Sequence, residues 1–328
     1  MAMDKSGTVT DPFGGRDDIE KKIIRCVGDA TARFREDALR IIRALRFAST
    51  LGFEIEESTA LAIGQCRPLL SCVAGERIFT ELSKLLLGDS ALNVLLKYKD
   101  EICTVIPELS PCVGFDQHNS YHIYTVYDHI AHAVDCCPKD LHIRLAMLLH
   151  DIGKPPLFFI GEDGRGHFWG HPELSEEMAE GVLKRLRVDS ELLRHVCFLI
   201  KHHDVRPAPT RKSLGKYLLK VGFKGARELL HVRKADILSQ APQYFYQLDD
   251  LEESARIIDR LESEGFCVSV HDLCVNGKDL MDLGLPQGKA VGKLLDELLS
   301  LVASEQIKNE RDALLAAAKK RISSRRDS

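Results

Sequence analysis

Aromatic residues are scarce in this chain: Phe, Trp and Tyr make up 6 % of its 328 residues, and there is a single tryptophan. Sheet sandwiches lean on aromatic and β-branched side chains. A chain rich in Leu, Ile and Ala suits helix packed on helix. None of the ten cysteines stands in a C-x-x-C pair, which excludes a zinc ribbon or a disulfide scaffold. Cys136 and Cys137 are adjacent and the others scattered, so buried free thiols in a reducing cytoplasm are expected. No apolar run approaches the roughly 18–20 residues of a membrane span, and the polar stretch from Met1 to Asp11 holds no signal-type segment. Charge of one sign is lacking too. At a formal net charge of −4, any contact with RNA must come from a local basic patch.

What is present is enough apolar surface for sizeable cores, with 45 % hydrophobic and 29 % charged residues. The length is a prior for two or three domains. Residues 1–20 read as short and turn-like. From Asp18 onward nearly every segment has helical spacing. The first strong helix is predicted from Phe34 to Thr50, with Ala38, Ile41, Ile42, Leu45 and Ala48 on one stripe and Gly52 ending it. Further helices are predicted at Glu57–Ile63 and Glu76–Leu87, with a shorter helical connector over 89–107. Pro107, Pro111 and Gly114 mark a boundary. Beyond it come helices near Tyr124–Val134, Leu141–Leu149, Glu173–Leu186, Glu191–Lys201, Ser213–Val221, Ala226–Ser239 and Leu248–Glu264. The glycine-rich 161–166 stretch suggests a short hairpin. The tail carries a loop at Asn276-Gly277, helices at Lys289–Ser304 and Asn309–Ile322, and a basic run from Lys319 to Arg326.

Glu36-Asp37-Ala38-Leu39-Arg40 lies on the polar side of the predicted first helix, where Asp37 and Arg40 would project together. By itself this is a surface ion pair of little worth. The run RFREDALRIIRALRFASTLGF, from Arg33 to Phe53, resembles the neck of bacterial-type CCA-adding tRNA nucleotidyltransferases and poly(A) polymerases. The upstream DPFGGRDDI and the downstream Glu76-Arg77-Ile78…Glu81-Leu82 resemble it as well, as do Asn276 to Leu280 and Gly284 to Gly292. The resemblance covers essentially the whole chain. It implies that Asp37, Arg40 and Arg77 bind the nucleobase. A carboxylate accepts from the amino group common to cytosine and adenine, and a guanidinium donates to the neighbouring ring nitrogen. Guanine and uracil present the opposite pattern and would leave both groups mispaired.

The family's catalytic head holds metal ions on a D-x-D pair. No D-x-D occurs in these 328 residues, and the chain opens at what resembles the last strand of that head. The expectation is a headless chain that does not itself transfer nucleotides.

His150-Asp151 follows the apolar Leu145–Leu149 and precedes Ile152-Gly153-Lys154-Pro155. Polar groups there are costly unless used. With His129 before them and Asp236 after, the order resembles the HD superfamily of metal-dependent phosphohydrolases. The resemblance implies that His129, His150, Asp151 and Asp236 hold one divalent ion, Mg²⁺, Mn²⁺ or a transition metal, with His150 and Asp151 catalytic. His171 and His202 would bind a phosphate or a second metal. The alternatives are a helix cap for His171 and simple exposure for one of His202 and His203. Lys154 either steadies a substrate phosphate or is solvated. His118 and His122 are candidates for supporting positions.

The expected fold is all-α and multi-domain. Residues 1–20 would be a remnant of the head, 21–106 the neck, 107–247 the HD bundle and 248–328 a helical, tRNA-binding tail. The expected role is the C-terminal portion of a CCA-adding enzyme, with the tRNA acceptor end as partner, ATP or CTP bound only with a head, and no membrane. Two alternatives stand beside it. One is a stand-alone HD phosphohydrolase acting on nucleotides, 2′,3′-cyclic phosphates or RNA-end phosphates. The other is an RNA-binding module with an inactive HD site.

Overall fold

The computed structural model describes residues 2–3 and 5–326. Met1 and Asp4 of the polar N-terminus, and the side chains of Arg325 and Arg326 in the basic run, lie outside the described residues. The fold is all-α. Its helices are α1 (Gly15–Glu20), α2 (Ala30–Glu36), α3 (Leu39–Leu51), α4 (Glu57–Cys66), α5 (Gly75–Leu86), α6 (Ala91–Lys97), α7 (Lys99–Val105), α8 (Val126–Cys136), α9 (Leu141–Leu149), α10 (Lys154–Leu157), α11 (His171–Arg185), α12 (Ser190–His202), α13 (Arg211–Leu238), α14 (Gln247–Ser263), α15 (Gly277–Asp282), α16 (Lys289–Ala303) and α17 (Arg311–Arg326). The strands among the described residues form three two-stranded ladders.

The segment expected as one helix from Phe34 to Thr50 is two, α2 and α3. Asp37 interrupts them at φ −152°, ψ 101°. Its Oδ1 accepts the Leu39 N–H at 3.2 Å, so the carboxylate caps the start of α3 instead of riding on a helix face. From there the predicted stripe holds: Ile41, Ile42, Leu45 and Ala48 are buried, and Gly52 ends α3 at φ 66°. Gly52 suits the left-handed conformation that a side chain would resist. The apolar stripe of α5, with Ile78, Leu82 and Leu85, packs on α3.

α9 is buried along its whole length from Ile143 to Leu149. The Asp140 side chain caps it, accepting from the N–H groups of His142 and Ile143. The one charge in that stretch, Arg144, is spent on main-chain carbonyls: Nε on Pro138 O, Nη2 on Cys137 O and Nη1 on Leu86 O and Gly88 O. This guanidinium ties α9 to the end of α5. Gly75, at the start of α5, sits so close to the backbone at the end of α11 that a Cβ would lie 2.2 Å from Arg185 O.

The predicted hairpin is present, with Phe159 opposite His167 and Ile160 opposite Gly166. α13 is broken at Gly222, φ 68° and ψ 172°, where the sequence pattern also paused. The loop expected at Asn276-Gly277 is instead the start of α15. Asn276 and Asp279 there form a capping box, the reciprocal pairing that opens a helix. Cys72, Cys136 and Cys274 are exposed, so the expectation of buried thiols fails for these three.

The chain divides into two compact units, Met1–Asp204 with His231–Phe245, and Val205–Leu230 with Tyr246–Ser328. The second has its own core, in which Leu280, Leu294, Leu298, Leu314 and Ala318 are fully enclosed. No helix among the described residues is long and apolar enough to cross a membrane.

Candidate functional site

The residues expected to read a nucleobase lie at the junction of α2 and α3. Asp37 and Arg40 do not form the helix-face pair anticipated from their spacing. Arg77, from the first turn of α5, donates from Nη2 to Asp37 Oδ2 at 2.9 Å. Arg40 Nη1 donates to Glu36 Oε2 at 2.8 Å and to Arg33 O at 2.9 Å. The Arg77 guanidinium holds the Asp37 carboxyl below its usual range, and the Leu39 N–H and Arg40 add to this against a partial burial. Asp37 is therefore an ionised acceptor whose position is set by a residue forty places later in the chain. Behind it Glu81 is buried and pairs with Arg43 and Arg46 at 3.2 Å and 2.6 Å. These ties make α3 and α5 a rigid mount.

The second constellation lies inside the larger unit. Four imidazoles converge on Asp151, which is 1 % exposed. His129 from α8 and His150 from the end of α9 place their Nε2 atoms 3.4 Å and 3.1 Å from Asp151 Oδ2. His171 from α11 and His203 from the end of α12 place theirs 3.4 Å and 3.8 Å from Oδ1. Each carboxylate oxygen thus faces one histidine pair.

The tautomers follow from the other ring nitrogens. Nδ1 of His129, His150, His171 and His203 lies 3.2, 2.7, 2.9 and 2.6 Å from Ser239 O, Met147 O, Phe168 O and Ile200 O. A carbonyl can only accept, so Nδ1 carries the proton and Nε2 of a neutral ring offers its lone pair. The Nε2 atoms then meet in pairs, His129 with His150 at 3.3 Å and His171 with His203 at 3.2 Å. With both rings of a pair neutral, two lone pairs face each other with no proton between them.

Both Asp151 oxygens are buried without a hydrogen bond. Lys154 Nζ stands 2.6 Å from Oδ2, an ion pair lying off the hydrogen-bonding direction. Carbonyl-oriented imidazoles around an orphaned carboxylate are the donor set that divalent cations take. The residues present fit such an ion.

Asp236, from the last turns of α13, closes the first pair, with Oδ1 3.3 Å from His129 Nε2. It is itself held by Arg233 and by Gln240 Nε2 at 3.0 Å. Burial opposes the charge on Asp151, but His150 when it carries a second proton, and the Lys154 ammonium, outweigh it and keep the carboxyl well below the usual range. Arg233 does the same for Asp236 against its burial. Burial presses His203 down to about 3, helped by His150 and His171.

Of the seven residues expected around the metal and phosphate, six come together: His129, His150, Asp151, Asp236, His171 and Lys154. His202 does not. It packs edge-on against Phe198, ring centres 5.0 Å apart, and its neighbour His203 takes the inward place. His171 begins α11 itself, behind Gly170, so it does not cap a helix from outside. Lys154 is buried and not solvated; its ammonium is held by Gln117 Oε1 at 2.9 Å and lies 5.4 Å over the Phe168 ring. Gln117, Arg233 and Gln240 carried no signal in the sequence. His122 packs edge-on against His129 at 4.8 Å, whereas His118 is exposed beside Asp116.

Known proteins with related sequences and structures cover nearly the whole chain. A family profile described as tRNA nucleotidyltransferase domain 2 matches residues 168–318, and one described as the RNA- and SrmB-binding site of polymerase A matches residues 52–109. The CCA-adding enzyme of Geobacillus thermodenitrificans is 31 % identical over 96 % of this chain and 68 % of its own length. The A-adding tRNA nucleotidyltransferase of Deinococcus radiodurans is 28 % identical over 95 % of this chain and 74 % of its own. The solved Bacillus stearothermophilus CCA-adding enzyme, in complex with CTP, superposes with a TM-score of 0.68 at 25 % identity, covering 99 % of this chain and 72 % of that one. By sequence and by fold together, this chain belongs to the CCA-adding enzyme family of tRNA nucleotidyltransferases.

Proposed function

We propose that this polypeptide is the base-reading and RNA-holding body of a CCA-adding enzyme, acting at the acceptor end of tRNA. The observation that carries it is the fixed carboxylate of Asp37, oriented by Arg77 and Leu39 N–H beside Arg40. Held this way, Asp37 accepts from the exocyclic amino group of cytosine or adenine while a guanidinium donates to the ring nitrogen. A base with a carbonyl in place of the amino group meets the carboxylate with lone pairs on both sides. The relative solved with CTP supports CTP, and by the same edge chemistry ATP, as the nucleotides read here. In this reading residues 21–106 are the neck, 107–247 the metal-binding bundle and 248–328 the tRNA-holding tail, with 1–20 the end of a catalytic head. The 328 residues contain no D-x-D pair, so transfer is assigned to a head that this chain does not supply.

The test uses the pure chain with a tRNA lacking its 3′ CCA. It should retard the tRNA in a native gel yet incorporate no labelled CMP or AMP. Incorporation at enzyme-like rates would overturn the headless reading. Absence of any tRNA retention would overturn the reading as a tRNA-holding body.

A second activity is favoured by the cluster around Asp151: hydrolysis of a phosphoester at an RNA or nucleotide end, 2′,3′-cyclic phosphates among them. His129, His150, Asp151 and Asp236 would hold a divalent ion, and His171 and His203 would complete the other face of the carboxylate. When bound there, such an ion would supply Lewis acidity toward the phosphoester and toward water near neutral pH. Lys154, buried between Asp151 and Gln117, would neutralise a phosphate oxygen. Hydrolysis of a 2′,3′-cyclic nucleotide by the wild-type chain, lost in Asp151→Ala, is the expected outcome. Turnover that survives in Asp151→Ala would remove this reading and leave an RNA-binding module with an inactive site.

A further inference from the structure

The only tryptophan of the chain is 73 % exposed, a costly place for the largest apolar side chain unless something covers it. Trp169 does not stand alone. Its ring meets Phe159 edge-on at 4.8 Å and His167 at 5.5 Å, and Phe159 stacks on His167 at 5.4 Å. Ile160, next in the hairpin strand, is 53 % exposed.

This aromatic group is tied to the Asp151 cluster by covalent and packed links. Trp169 is two residues before His171, so their Cα atoms are within about 7 Å. Among the four imidazoles His171 has the most exposed side chain, 11 %, so its edge is where the cluster meets solvent. The hairpin is pinned as well: Gly166 N–H donates to His118 O at 2.9 Å. A Cβ at Gly166 would lie 2.2 Å from Gln117 O, and Gln117 is the residue that grips Lys154. Phe168, between hairpin and helix, packs under the Lys154 ammonium and against Phe158.

We propose that Trp169 and Phe159 form a stacking platform for the nucleobase of the nucleotide or RNA end whose phosphate is presented to the Asp151 cluster. The inference rests on the phosphohydrolase reading above and adds its substrate class: a phosphoester carrying a base. The ligand is dictated by the chemistry of the two halves. Every base has a π-face, and aromatic platforms hold bases with little regard to sequence, while the half around Lys154 takes the phosphate. A base-free phosphoester would fill one half only.

The single tryptophan is its own reporter. The full chain in Mg²⁺ buffer, excited at the red edge of indole absorption, is titrated with adenosine 2′,3′-cyclic phosphate and separately with inorganic phosphate. The nucleotide should quench Trp169 saturably and shield it from acrylamide; inorganic phosphate should do neither. Phe159→Ala, which keeps the reporter, should weaken the apparent affinity about tenfold, and circular dichroism checks that it folds. Emission and acrylamide access that stay unchanged up to millimolar nucleotide would overturn the platform, as would equal affinity in Phe159→Ala. Shielding that depends on protein concentration without nucleotide would make the patch a contact between copies, and would overturn it too. Saturable quenching without hydrolysis would leave the platform standing and remove the phosphohydrolase reading.

Discussion

Arg77 holds the carboxylate of Asp37 at 2.9 Å across forty residues of sequence, so the group proposed to read a base is positioned from a different helix. Spacing alone pointed to Arg40 as its partner. Both guanidiniums border the carboxylate electrostatically, but only Arg77 fixes its direction.

In a polypeptide that joins a catalytic head to these residues, both Asp37 and Arg77 should therefore matter for nucleotide choice. Asp37→Ala should slow CMP and AMP addition and relax discrimination against UTP and GTP. Arg77→Ala should give a milder form of the same defect, because the carboxylate remains and only its orientation is lost. Competition assays with all four nucleotides measure this. An unchanged preference in Asp37→Ala would reduce the site to a surface ion pair.

At the histidine cluster the contrast lies between two neighbours. His203→Ala should lower the divalent metal retained after purification, read by elemental analysis, since it removes an imidazole facing Asp151. His202→Ala should leave metal content as it is, because that ring packs on Phe198. Equal loss in both variants would contradict the placement. Asp151→Ala should abolish retention, since the carboxylate is common to both histidine pairs.

Arg144→Met should be among the more damaging changes outside any site. It removes the donor to four carbonyls in a buried position. Pro138 O keeps the Asp140 N–H, which leaves three carbonyls to lose this donor. Buried acceptors left without partners cost about 1–3 kcal/mol each where water cannot reach them, so a loss of about 3 kcal/mol is expected. Urea denaturation monitored by circular dichroism would measure it, and a change under about 1 kcal/mol would mean that water replaces the guanidinium.

Glu56 caps α4. Its side chain accepts from Ser58 Oγ and from the N–H and Oγ1 of Thr59. These bonds, Ser58 first, lower its pKa to about 2 against a small opposing burial. A folded pKa below the unfolded one stabilises at pH above the unfolded value. That contribution is lost as pH falls from about 4.5 towards 2. Because the group is solvent-screened, the effect is of the order of 1 kcal/mol. Glu56→Ala should cost that much at pH 7 and nearly nothing at pH 2, and an equal cost at both would refute the charge-dependent cap.

Sequence by itself determined the helical class and most of the helices. Apolar residues at three- and four-residue steps have one low-energy solution when a face must leave water, and α9 follows it to the residue. The glycine-rich hairpin was legible for the same local reason. His150 and Asp151 stood out because a polar pair ends an apolar helix there, while His129 was singled out only through the HD resemblance. Tertiary structure alone decided the rest. Asp37 broke a helix because its carboxylate found a backbone N–H and Arg77, a partner no local pattern announces. His203 faces Asp151 and His202 does not, because successive residues near a helix end point about 100° apart and packing selects the one turned inward. Gln117 reached Lys154 from a separate segment, through a contact that exists only once the chain has packed, whereas Arg233 and Gln240 flank Asp236 at three and four residues and are carried in with it.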